Sequence, residues 1–164
     1  MASNFLEQLI AEWYEFQGYF IRRNVLVGKR AKGGYECELD IVAFHPTKKH
    51  LIQIEPSTDA SSWTIREKRY KKKFEAGQKY IPALFQGLKV PEKIDQVAVF
   101  VFASKQNRNT LAGGRIVLIS EILEDIFNEL KSSSIFSSVI PEQFPILRTL
   151  QFVIEYRNRL STVF

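Results

Sequence analysis

The sequence predicts an α/β domain on a mixed sheet, and three observations predict it. Apolar residues recur at helical spacing from Phe5 to Phe16. Two short apolar stretches, Leu39 to Phe44 and His50 to Glu55, flank the turn-forming run His45-Pro46-Thr47-Lys48-Lys49. The almost wholly apolar run Gln96 to Ala103 reads as a strand buried on both faces.

In chain order, the first helix takes Ser3 or Asn4 as its N-cap and stops at Gly18. Tyr19 to Val27 follows as a strand, and the basic, glycine-bearing stretch Gly28 to Gly34 suits a mobile connection. The hairpin comes next, then a polar loop, Ser57 to Ser62, with a serine to cap the following helix. That helix, about Trp63 to Ile81, carries Trp63, Tyr70, Phe74, Gly77 and Ile81 along one stripe, which assigns Trp63 to the core. After the buried strand, Gly113-Gly114 marks a turn, Arg115 to Ile119 a strand and Ser120 to Lys131 a helix. Pro145 opens a last helix reaching Tyr156. The 164 residues fit a single domain, with a core over about 4–120 and a C-terminal helical extension over about 120–160.

Composition excludes several classes. With 45% hydrophobic and 25% charged residues, and 13 Phe, the chain has the material for a substantial core. No apolar run approaches the ~20 residues of a membrane helix. Met1-Ala2-Ser3-Asn4 lacks the basic and apolar regions of a secretory signal, so the expected location is cytoplasmic. A single cysteine, Cys37, forms no internal disulfide and, with two histidines, completes no usual zinc site. Glu36 and Glu38 beside it disfavour a thiolate nucleophile. His45 and His50 flank a turn, with too few supporting residues for a histidine-metal site.

The net charge of +5 is unevenly spread. Arg66, Lys68, Arg69, Lys71, Lys72 and Lys73 crowd one helix, and Lys29, Arg30 and Lys32 follow Arg22 and Arg23 upstream. Such clusters form phosphate-contacting surfaces and point to nucleic acid. Acids gather elsewhere, at Glu36, Glu38, Asp40 and Glu55.

Hairpin geometry brings some of these acids together. If the turn centres near Thr47 and Lys48, Asp40 lies across from Glu55, or from Gln53 in a shifted register, with Glu38 one step away on the same face. Two facing carboxylates, with Cβ atoms about 5 Å apart, repel unless a cation intervenes. Mg²⁺ takes oxygen from one or two carboxylates and keeps water and phosphate as its other ligands. The pair therefore reads as a metal site for phosphodiester hydrolysis, in a setting of apolar neighbours such as Leu39, Ile41, Ile52 and Ile54.

Across about its first eighty residues the chain resembles the PD-(D/E)XK nuclease superfamily, particularly its Holliday-junction resolvase-like and Mrr-like branches. The matching segments are Phe5-Leu6-Glu7, Gly18-Tyr19-Phe20, Gly33-Gly34 through Glu38-Leu39-Asp40-Ile41-Val42-Ala43, and Leu51-Ile52-Gln53-Ile54-Glu55. The resemblance implies a restriction endonuclease-like αβββαβ core, DNA as partner, Mg²⁺ or Mn²⁺ as cofactor, and Asp40 and Glu55 as metal ligands. It implies that Glu7, or less readily Glu12, completes the site, and that the protein can form a homodimer. The chain departs from the family where an acid-x-lysine is usual, reading Gln53-Ile54-Glu55-Pro56-Ser57. In one alignment the Gln53 carbonyl is a ligand and Glu55 replaces the lysine. In the other, Ser57 stands at the lysine position and Lys73 of the basic helix substitutes for it. The expected activity is Mg²⁺-dependent DNA cleavage, of a restriction, defence or recombination kind. The rival reading is an inactive nuclease-fold module that binds nucleic acid or a protein.

Overall fold

The computed structural model describes residues 4–163, and among them five helices enclose a six-stranded mixed sheet. The elements run α1 (Phe5–Phe16), β1 (Phe20–Lys29), β2 (Tyr35–His45), β3 (His50–Ser57), α2 (Trp63–Leu84), β4 (Ile94–Phe100), β5 (Thr110–Leu111), β6 (Gly114–Leu118), α3 (Ile119–Leu130), α4 (Pro145–Glu155) and α5 (Arg157–Leu160). Strand order is β1-β2-β3-β4-β6-β5. The β1–β2–β3 segment is antiparallel, β3, β4 and β6 are parallel, and β5 returns antiparallel to β6. The α2 helix bridges the parallel pair β3 and β4, as such a pair requires. No helix among the described residues is long and apolar enough to cross a membrane.

Local chemistry sets the element ends. Asn4 accepts the Leu6 N–H at the start of α1, while Ser3, the other expected cap, lies outside the described residues. At the far end Gly18, at φ +91°, donates to the Glu15 carbonyl and Tyr19 donates to that of Tyr14. This pair of bonds closes the helix in a Schellman motif. Two-residue turning at Ala112 and Gly113, both at positive φ, joins β5 to β6. The connection expected from Gly28 to Gly34 shrinks to residues 30–34, because β1 and β2 remain paired out to Lys29 and Tyr35.

Two helical layers cover the sheet. On one side Leu6, Ile10 and Trp13 of α1 pack with Ile122, Ile126, Leu147 and Ile154 of α3 and α4 over Ile41, Ile52, Ile54 and Val97. On the other, Tyr70, Phe74 and Ile81 of α2 cover Ala98, Phe100, Leu51 and Val42. The segment expected as an extension thus shares the core with α1.

Glu12 makes that union specific. Its carboxylate is 1% exposed and accepts the Ile146 and Leu147 N–H groups at 2.9 and 3.0 Å, at the start of α4, and the Gln8 amide at 2.7 Å. A carboxylate at a helix N-terminus satisfies orphan donors and complements the helix dipole. Glu12 is therefore a structural tether, occupied away from the catalytic position for which it was the less favoured choice. Glu12→Ala strands two buried donors and is expected to cost about 2–4 kcal/mol, read as a lower denaturant midpoint, whereas Glu12→Gln, which keeps an acceptor, costs less.

Candidate active site

The β2–β3 register pairs Ile41 with Ile54 and Val42 with Gln53, so one further step sets Asp40 opposite Glu55. The Asp40 N–H reaches a Glu55 carboxylate oxygen at 3.4 Å. Here the strands part: Ile41–Ile54 is the last β2–β3 pair, and Pro56, which has no N–H to donate, follows. The Glu55 carbonyl accepts the Tyr70 hydroxyl of α2 instead.

On the other flank of β2, Asp40 faces Asn24 in the β1–β2 register, and Asn24 has a left-handed φ of +51°. Asn tolerates this conformation better than most residues. Around it the ribbon exchanges faces: Ile41 and Ala43 lie with α1, whereas Leu39, Val25 and Val27 pack with Ala76 and Ile81 of α2. Leu39 thereby leaves simple alternation, while Glu38 and Asp40, expected on one face, line one recess.

Lys73 enters from α2. Its Nζ donates to Asp40 at 2.6 Å and also to Glu55. Two carboxylates about 5 Å apart repel by roughly 3 kcal/mol at an effective dielectric of about 20, enough to require a cation between them. Burial pushes the Glu55 carboxyl well above its ordinary range, with Asp40 adding to the rise and the Lys73 ammonium and Gln53 amide opposing it. Burial would also weaken the Lys73 ammonium, but the Glu55 and Asp40 charges outweigh that and hold its proton more tightly than usual.

Lys73 reaches this position because α2 sits very close to β3. A Cβ on Gly77 would lie 1.8 Å from the Gln53 side-chain oxygen, so only glycine permits the approach. Gln53 is fully buried; it donates to Glu55 at 2.8 Å and to the Lys73 carbonyl at 3.1 Å, and accepts from Gln96 at 2.7 Å. Its oxygen is thus committed to Gln96, not offered to the gap between the acids. The expected ligand acts as a donor that orients Glu55. Gln96, which had carried no expected role, completes the network; its place beside Asp95 at the start of an otherwise apolar strand was the available signal.

Glu7 lies within the field of this group. Burial raises its carboxyl, Asp40 and Glu38 raise it further, and Asn4 and Lys73 oppose the rise. Glu7, the acid expected to complete the site, thus stands beside Asp40 and Lys73, although among the described residues no three or more His, Cys, Asp or Glu side chains are grouped to hold a metal ion. The Asp40 and Glu55 carboxylates still fit a hard divalent cation, which accepts as few as one or two protein carboxylates, and the Lys73 ammonium already occupies the cation position.

A recess of about 190 Å³ opens on the pair, lined by Asp40, Glu55, Pro56, Ser57, Arg69, Tyr70 and Lys73. A wider one of about 530 Å³ continues past Asp40 along Lys72, Glu38, Cys37 and Tyr35. Ser57 donates to Asp59 and accepts from Arg69 at 3.2 Å, so it buttresses the rim. Although burial favours the neutral form of Asp59, hydrogen bonds from Ser57, Ser61 and Arg69 hold its carboxyl well below the usual range.

The basic helix divides into two populations. Lys68, Lys71 and Lys72 are exposed and Arg69 is at the rim, while Lys29, Arg30 and Lys32 are exposed at the β1–β2 tip. Arg66 does not belong to this surface. It is 3% exposed, donates to the Asp59 and Phe102 carbonyls, and stands 4.3 Å from the Phe100 ring centroid. It anchors the 59–62 loop and the end of β4, so a phosphate cannot reach it. His50 is also structural, bonded to Tyr19 at 2.7 Å and Asp95 at 3.1 Å at the opposite end of β3.

No protein-family model, curated protein or solved structure matches the chain.

Lys73→Met leaves two partly desolvated carboxylates facing each other and is expected to cost about 3 kcal/mol in denaturant melts. Adding Glu55→Gln should recover much of that loss, giving a non-additive double-mutant cycle. The raised Glu55 carboxyl binds its proton more tightly folded than unfolded, so its contribution to stability declines as pH rises above the ordinary carboxyl range. Glu55→Gln should flatten that decline, measured as the denaturant midpoint against pH.

Proposed function

We propose that the protein is a divalent-metal-dependent DNA endonuclease on a restriction endonuclease-like core. The single observation that carries this reading is the meeting of Asp40, Glu55 and Lys73 in one recess, where β2 and β3 part. The element order through β4 agrees with the αβββαβ core implied by the family resemblance.

In this reading Asp40 and Glu55 hold Mg²⁺ or Mn²⁺, which when bound lowers the pKa of a water and offsets charge growing on the phosphate. Gln53 fixes the Glu55 carboxylate in rotation, and Tyr70 fixes its backbone. Lys73, once its carboxylates are otherwise engaged, has donors to orient a water or a phosphate oxygen. Arg69 stands at the mouth, and Lys68, Lys71, Lys72 and the Lys29–Lys32 tip bind the flanking backbone of the substrate.

One observation favours the rival reading, an inert module that binds nucleic acid or a protein. Lys73 already neutralises the acid pair, so the trio is self-satisfied without a metal. Cleavage separates the two. Plasmid, branched and single-stranded DNA should be cut in Mg²⁺ or Mn²⁺ and not in chelator. Asp40→Asn should lower the rate about a hundredfold or more while circular dichroism and melting stay native-like. Binding without cleavage in either metal would establish the inert module. Lys68→Gln with Lys72→Gln should reduce the slope of log affinity against log salt by roughly 2, close to one per phosphate contact.

A further inference from the structure

The basic helix presents a second feature, away from the acid pair. Trp63, expected in the core, is only half-buried: its ring meets the Phe100 edge at 5.7 Å and leaves the remainder in a surface recess of about 380 Å³. Thr64, Glu67, Lys68 and Arg108 complete the lining. Two guanidinium groups lie over the Trp63 ring, that of buried Arg66 at 5.0 Å from the centroid and that of exposed Arg108 at 5.4 Å. Arg108 is carried by a turn in which two non-glycine residues, Gln106 and Asn107, adopt left-handed φ values of +43° and +69°.

We propose that Trp63 and Arg108 form a stacking platform for one unpaired nucleobase, with Lys68 taking the adjoining phosphate. This inference rests on the nucleic-acid reading above and adds a subsite to it. The chemistry is matched on both counts. The exposed Arg108 guanidinium, backed by the indole it lies over, offers any base a plane for stacking and cation–π attraction. The recess carries two cations against one acid, and that acid, Glu67, already accepts the Ala112 N–H at 3.1 Å. Placement agrees as well. Trp63 and Lys73 are ten residues apart on α2, about 15 Å along the axis, or about four nucleotides of stacked strand at 3.4 Å each. A strand entering the acid recess past Arg69 can thus lay a nearby base on Trp63.

The chain has two tryptophans, and Trp13 is buried with α1 on the opposite face of the sheet, so emission changes on binding report Trp63. The test titrates the full chain, in chelator, with a short oligothymidylate, following emission and fluorescence anisotropy together. Quenching that saturates with the anisotropy is expected. Trp63→Leu, which keeps apolar contact with Phe100, should abolish the quenching and weaken binding about tenfold with the salt slope unchanged. Arg108→Gln, on an exposed turn where folding is not at stake, should also weaken binding. Oligothymidylate binding without quenching, absence of binding, or wild-type affinity in Trp63→Leu would each overturn the platform. Equal quenching by a blunt hairpin duplex would overturn the assignment to an unpaired base. Quenching in a protein that never cuts DNA would support the platform while sinking the nuclease reading, so the two fail separately.

Discussion

The ammonium of Lys73 between Asp40 and Glu55 is the interaction on which the rest of the site depends. The two acids could not both be held ionised in the recess without it, since carboxylates about 5 Å apart repel by roughly 3 kcal/mol at an effective dielectric of about 20. The lysine is delivered by a helix that can approach β3 only because residue 77 lacks a side chain. The space so removed is filled by Gln53, which ties the Lys73 carbonyl, Glu55 and Gln96 into one network. Charge, packing and hydrogen bonding therefore constrain the same few atoms, which is the condition for a preorganised centre.

The sheet contributes by coming apart in the right place. Asp40 has an irregular neighbour on one flank, Asn24, and a departing strand on the other. Glu55 lies toward the C-terminal end of β3, the edge at which open α/β sheets bind their ligands. At the opposite end the polar groups are paired with one another: His50 is held by Tyr19 and Asp95, and Arg115 grips Asp95 through two nitrogens.

Much of this was legible in the sequence. Alternation and turn chemistry placed Asp40 across from Glu55, and the family resemblance offered Lys73 in one of its two alignments as the substitute for the missing lysine. What escaped was set by contacts between distant residues. Arg66 reads as one more cation in a basic run, and only the rings of Trp63 and Phe100 with two carbonyls beside them draw it inside. The direction of the Gln53 amide follows from Gln96, more than forty residues away. The half-exposure of Trp63 depends on where the 104–109 loop falls, and nothing in the local periodicity records that. Glu12 sits on an apolar helix face where an acid has no local reason to be, a sign of a remote partner that periodicity alone cannot name.

The tether made by Glu12 also has a temporal side. Its partner at Ile146 stands 134 positions further along the chain. At a translation rate of roughly 5–20 residues per second, the carboxylate waits on the order of ten seconds after its own codon is read before that partner exists. Through that interval the greasy flank of α1, Leu6, Leu9 and Ile10 included, has no α4 to cover it. Until α4 follows, that flank is open to solvent and prone to self-association, and the bond that closes it joins two of the most distant parts of the chain.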